Sequence, residues 1–160
     1  MNPPSIAQFL FRDLDPVREK WAEIERYNAS ILDRLPPGAK DFVSAAWHYD
    51  GGDPRCPHDS WISAIQIQPS GSGNRSRDIR LVLLGAFHDR FISFTYMDVT
   101  DFSIQGQILE RSGRMLDWLY DEVHLCDSGS VEHLIEFEQC VMRIECADFS
   151  VSDMLIDSTK

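Results

Sequence analysis

The sequence predicts an α+β domain: an antiparallel β-meander of about six to seven strands with an N-terminal helix packed on one face. Three observations predict it. An apolar stripe recurs at helical spacing near the N-terminus, alternating apolar and polar residues dominate beyond residue 60, and the last third reads as two successive hairpins. With 160 residues, 43% apolar and 26% charged, the chain has the make-up of one globular domain that can bury a core without staples. The expected layout is a single domain over 1–160. It comprises an arm (1–14), a helix (15–35), a β-rich body (39–150) and a tail (151–160).

In the arm, Ile6, Phe9, Leu10 and Phe11 are apolar enough to tuck into the core. Asp15 is a candidate N-cap, Pro16 suits the first helical position, and Pro36-Pro37-Gly38 ends the run. Val17, Trp21, Ile24, Ile31 and Leu35 share one face, with Asn28 as the polar residue at its edge. Residues 39–49 fit two periods: Phe42, Val43, Ala46 and Trp47 suit a short helix, whereas Val43, Ala45, Trp47 and Tyr49 suit a strand. A strand is preferred here. Further strands are expected at about 61–68, 79–88, 91–98 and 100–105, separated by a Ser/Gly/Asn loop at 69–76 and followed by a loop or helical turn at 106–116.

The final hairpins allow a register to be derived. A three-residue loop of Asp127, Ser128 and Gly129, with Gly129 left-handed, sets Leu125 opposite Val131 and Val123 opposite His133. That choice gathers Leu119, Val123, Leu125, Val131, Ile135 and Phe137 on one face, which a two-residue loop would scramble. A tight turn at Gln139 and Cys140 is then expected to pair Phe137 with Met142, Ile135 with Ile144 and His133 with Cys146. On the other face Glu136 meets Arg143.

Charge narrows the classes of partner. A net charge of −11 argues against binding nucleic acid through phosphates, and favours a basic partner or simple solubility. The N-terminal stretch lacks the basic and apolar regions of a signal peptide, and no stretch is apolar for the length of a bilayer, so no membrane partner is expected and the expected address is cytoplasmic. Four cysteines without a C-x-x-C pair read as reduced thiols. There is no phosphate-binding loop, dinucleotide glycine pattern or G-x-S-x-G, and no cofactor is expected.

Three groups of residues could carry function. The outward face of the last hairpins offers Trp118, Tyr120, Glu122, Glu136, Glu138 and Glu145, an acidic docking surface with aromatic anchors. The derived register also brings Asp121, His133 and Cys146 to the apolar side, where an aspartate orienting a histidine beside a thiol is what a cysteine nucleophile needs. The simpler reading is an Asp–His pair satisfied in the core beside a small buried thiol. Finally, the loop holding His48, Asp50, Asp53, Cys56, His58 and Asp59 contains zinc-type donors, although their spacing matches no zinc pattern. Ordinary loop residues are the simpler reading there too.

One resemblance bears on function. In "WHYDGGDPRCPHDSWISAIQIQPS" and "DIRLVLLGAFHDRFISFTYMDVTDFSI" the chain resembles a broad group of small bacterial proteins. In that group an aromatic-rich turn leads to a His-Asp dipeptide that opens an apolar strand, with a V-x-x-aromatic-S strand later. The matching positions are His58 and Asp59, then Ile62, Ile65 and Ile67, and later Val99, Phe102 and Ser103. The resemblance spans residues 47–149; the N-terminal helix and Cys56-Pro57 depart from it. Some members are similar to immunity proteins of polymorphic toxin systems, which block a toxin domain and catalyse nothing. It implies that Asp59 caps the strand and His58 braces the neighbouring turn. The expected function is therefore a non-catalytic binding protein, an immunity-type inhibitor of a basic partner such as a toxin domain. A metal-dependent or thiol enzyme and a homo-oligomeric structural protein are the alternatives.

Overall fold

The computed structural model describes residues 17–71 and 76–157, with side chains from residue 21 onward. The expected N-cap Asp15, Pro16 and the arm lie outside these residues. Helix α1 covers Val17–Ile31 and tightens into a 3-10 turn at Leu32–Arg34. Leu35 is already extended (φ −67°, ψ 144°), as expected of a residue that precedes proline. Ile24, Ile31 and Leu35 are buried as the stripe predicts, while Trp21 and Asn28 sit at its half-buried edge.

Residues expected to form a strand instead make a second helix, α2, Pro37–Val43. Pro37 occupies its first turn, and the free amides of Gly38 and Ala39 donate to the Asp148 carboxylate at 3.0 and 2.9 Å. The cap comes from more than a hundred residues away, so no local pattern announced it. From Ala45 to Ser60 the chain proceeds through successive turns, including Asp50 N–H to Trp47 O and Cys56 N–H to Asp53 O.

Eight strands follow among the described residues, in two four-stranded antiparallel sheets rather than one meander of six or seven. The first sheet holds β1 (Trp61–Pro69), β2 (Arg77–Leu84), β3 (Arg90–Met97) and β8 (Asp148–Leu155), in that spatial order. The second holds β4 (Asp101–Gly106), β7 (Cys140–Cys146), β6 (Val131–Phe137) and β5 (Trp118–Leu125). The first half of the expected tail, residues 151–155, therefore belongs to strand β8, and 158–160 lie outside the described residues. At one corner, β3 runs on into β4 and β7 into β8, with Ala147 N–H donating to Met97 O and Thr100 N–H to Glu145 O. At the opposite corner Trp61 bridges Asp117, and Trp118 N–H donates to Ser60 O.

Tying the sheets at both corners turns their inner faces onto one core. Leu81, Leu83, Ile92, Phe94 and Tyr96 meet Val123, Val131, Ile135, Phe137, Met142 and Ile144, with Ile31 and Phe42 of the helices and Leu35 of the link between them closing the group. Burial of this set, at about 25 cal/mol per Å² of apolar surface, is the main favourable term in folding.

The hairpin registers divide in an instructive way. Leu125 pairs with Val131 and Val123 with His133, and Gly129 is left-handed at φ 86°, as derived. The next turn, however, falls at Glu138 and Gln139. Phe137 faces Cys140, Ile135 faces Met142 and His133 faces Ile144, so the expected pairing of His133 with Cys146 is corrected. A slip of two residues keeps every side chain on its face, and the apolar pattern is therefore blind to it. Arg143 consequently lies opposite Leu134, not Glu136, and its guanidinium bonds Glu132, Asp101 and Glu145.

Candidate binding cleft and the polar chain beneath it

A chain of hydrogen bonds crosses the core under the start of β5. Tyr96 of β3 bonds His133 Nδ1 at 2.8 Å, His133 Nε2 reaches Asp121 Oδ2 at 3.1 Å, and His48 Nε2 meets both Asp121 oxygens at 3.1 and 2.9 Å. His48, Asp121 and His133 are at most 2% exposed. An ionised carboxylate only accepts, so both Nε2 atoms carry hydrogen, and in the neutral His133 ring Nδ1 then accepts from the Tyr96 hydroxyl. Burial pushes the His133 pKa below its ordinary value despite the pull of Asp121, which favours that neutral form. For Asp121, burial alone would raise the pKa, but His48 and His133 outweigh it and hold the carboxyl well below the usual range. Burial likewise drives the Tyr96 hydroxyl well above 10.0, keeping it a donor.

The expected Asp121–His133 pair is present, whereas Cys146 is not its third member. Cys146 pairs with Val131 across the ladder, and both His133 nitrogens are committed elsewhere. Burial raises all four thiols above their ordinary value, Cys140 to about 11 and Cys146 to about 12, so none is a ready thiolate.

The donors of the 48–59 loop disperse rather than converge. Asp50 accepts from Gly52 N–H, and Asp53 holds Arg55 through a two-pronged ion pair. The Cys56 thiol donates to His48 O, and His58 Nδ1 donates to Leu119 O at 2.7 Å. Among the described residues no three His, Cys, Asp or Glu side chains are grouped to hold an ion. The His58 ring is thereby tied to strand β5, where the resemblance implies a brace on the neighbouring turn. Asp59 does not cap: it occupies the left-handed region at φ 61°, its amide donates to Trp118 O, and its carboxylate stands 3.4 Å from His58 Nε2.

On the last hairpins, the expected docking residues separate by burial. Trp118 is 1% exposed and belongs to the core, because a bulge at the start of β5 turns it inward against Phe94 and Phe137. Glu122 is also buried, at 6%, and bonds His124, whose other nitrogen lies 3.3 Å from Glu132. Burial works against charge on His124, yet hydrogen bonds to these two carboxylates dominate and push its pKa up to about 9. Glu145 is held by Arg143 and Ser130, and Glu138 by Arg114 and the Asp117 amide. Glu136 lies half-buried opposite Val141. The acidic face is therefore a ladder of neutralised pairs, and Tyr120, 47% exposed, is its one large exposed aromatic among the described residues.

Tyr120 stands at the rim of a cleft of about 190 Å³, lined by Trp21, His48, Tyr49, Cys56, His58 and Asp121 among others. Trp21 of α1 packs edge-on to Tyr49 at 4.9 Å and to Tyr120 at 6.2 Å, and His58 lies 6.0 Å from Tyr120. Tyr49 donates its hydroxyl hydrogen to the Asp121 backbone carbonyl at 3.2 Å, and Asn28 reaches the same hydroxyl, which explains the polar residue at the edge of the helical stripe. Compared with protein families and with curated proteins, the chain matches none. Sequence reasoning passed over Tyr96, Tyr49 and Trp21 as polar or aromatic site residues, since each is drawn in by packing between distant elements. Only the aromatic richness of residues 47–49 pointed this way.

Proposed function

We propose that the protein is a non-catalytic, immunity-type binding protein that occupies a basic partner protein, such as a bacterial toxin domain, through the surface around Tyr120. The observation that carries this reading is the aromatic cleft itself: Tyr120 and Trp21 frame it, and among the described residues no Lys or Arg lines it. A large aromatic at the mouth of a concavity is the kind of anchor on which protein interfaces concentrate binding energy. The chain's −11 charge adds steering toward a basic surface. The residues equipped for chemistry instead bond one another: Asp121 is shared by two imidazoles, and burial raises the pKa of every thiol. A second reading, a homo-oligomer, has one specific support, the exposed Met154 and Leu155 at the end of edge strand β8. Affinity capture with the tagged protein from lysate of its native host, eluted along a salt gradient, tests the proposal. One basic protein in stoichiometric yield, released by salt, is expected. An empty capture by a chain that sediments as a self-assembled oligomer contradicts it.

A further inference from the structure

We propose that the outward face of the first sheet carries a binding site for a small monocarboxylate with an apolar body, held by Arg80. Strand alternation builds the site. Leu81, Leu83, Ile92 and Phe94 turn into the core, so Arg80 and Val82 of β2 and Phe91 and Ser93 of β3 turn the other way. Val151 likewise packs inward, which sends Ser152 and Met154 of β8 outward. The register then aligns these residues across three strands: Val82 stands opposite Ser93 and Ser93 opposite Ser152, while Phe91 faces Met154 one row along. Together they line a groove of about 320 Å³, at the lower end of the range of about 300–1,000 Å³ typical of small-ligand sites.

The chemistry of the lining selects the ligand. Arg55, Arg90, Arg114 and Arg143 are each held by carboxylates, whereas Arg80 reaches none among the described residues. Its Nη2–H donates to Ser93 Oγ at 3.2 Å, and its other N–H groups meet no acceptor among those residues. Ser93 is only 7% exposed, and its own hydroxyl hydrogen also finds no acceptor there. The one carboxylate in the described lining, Asp153, is engaged by Arg90 Nη1 at 2.6 Å. The unspent groups are therefore donors around a single positive charge, which suit an oxyanion. A guanidinium fork matches the two oxygens of a carboxylate, and one cation balances one negative charge, whereas a phosphate dianion would stay half-compensated. Val82, Phe91 and Met154 supply apolar contact for the rest of the molecule.

The test uses the full chain and three probes, benzoate, benzamide and inorganic phosphate. Binding is followed through the Arg80 Nε–H and Ser93 amide resonances, with the Ile135 amide of the second sheet as internal reference. Saturable movement of both reporters by benzoate is expected, with Kd on the order of millimolar. Benzamide has the same shape without the charge and is expected to bind about ten-fold more weakly. Phosphate, which leaves the apolar side chains uncovered, is expected to bind more weakly than benzoate. Arg80→Gln, at an exposed position, is expected to weaken benzoate binding about ten-fold, read at Ser93, while leaving the melting temperature unchanged. No saturable movement, equal binding of benzamide, phosphate binding as tight as benzoate, or indifference to Arg80→Gln overturns the proposal.

Discussion

Asp121 is the residue on which the polar chain depends, because it accepts from His48 and His133 at once. Replacing it with Asn removes the charge that both imidazoles face and forces one amide N–H against a ring N–H. Asp121→Asn is expected to cost about 3 kcal/mol, read from the urea midpoint at pH 7. Tyr96→Phe strips the donor from His133 Nδ1 and leaves a buried acceptor, for an expected loss of about 1–3 kcal/mol. If instead these residues serve chemistry at little structural cost, both variants keep wild-type stability. His124 supplies the pH signature. Its folded pKa, about 9, lies above the unfolded 6.5, so its contribution is whole below pH 6.5 and is lost as pH climbs through 9. Wild type is therefore expected to lose about 2 kcal/mol more than His124→Gln between those two values, measured by denaturant unfolding at each pH. A parallel loss in both proteins would remove His124 as the cause. At this scale the sequence showed Asp121 with His133, since they lie on neighbouring strands of one hairpin. It could not show His48 or Tyr96, which arrive from a turn region and from the other sheet.

Among the elements, α2 shows how a long-range contact decides a local ambiguity. Residues 39–49 satisfy helical and strand periods about equally, and the tie is broken by Asp148, which caps two amides of α2 from the start of β8. Asp148→Ala is expected to cost about 1 kcal/mol. Gly38 makes the approach possible: a Cβ there would fall 2.0 Å from Phe149 O, against backbone that cannot yield cheaply. Gly38→Ala is expected to cost about 2 kcal/mol or more by thermal melting, although alanine is the better helix former. A neutral or stabilising Gly38→Ala would mean that α2 does not sit on β8 as described. The same limit on local information explains the hairpins. The first register was legible because a one-residue error reverses the faces and exposes apolar side chains. The two-residue slip at Glu138 and Gln139 reverses nothing, and hence left no trace in the pattern. Trp118 was misplaced outward for a related reason, since one bulge at the start of β5 inverts the alternation on which its placement relied.

For the whole molecule, the α+β class and antiparallel pairing were legible from periodicity, whereas closure into two corner-tied sheets was not, because the ties around Met97–Ala147 and Trp61–Asp117 are a few contacts between distant segments that carry no periodic pattern. The acidic balance was equally plain, but its distribution was not. Glu122, Glu132, Glu138 and Glu145 are taken up by His124, Arg143 and Arg114, which moves the expected docking surface from a broad acidic sheet to the aromatic cleft beside it. Long-range steering survives this pairing, since it depends on net charge, and association is expected to slow as salt rises through the Debye range. The most direct test of the account is capture from host lysate run in parallel with wild type, Tyr120→Leu and Cys126→Ser, the last a thiol outside the cleft, eluted along one salt gradient. The account predicts a basic partner held by wild type and Cys126→Ser alike, and lost from Tyr120→Leu. Equal capture by Tyr120→Leu, or loss confined to Cys126→Ser, contradicts it.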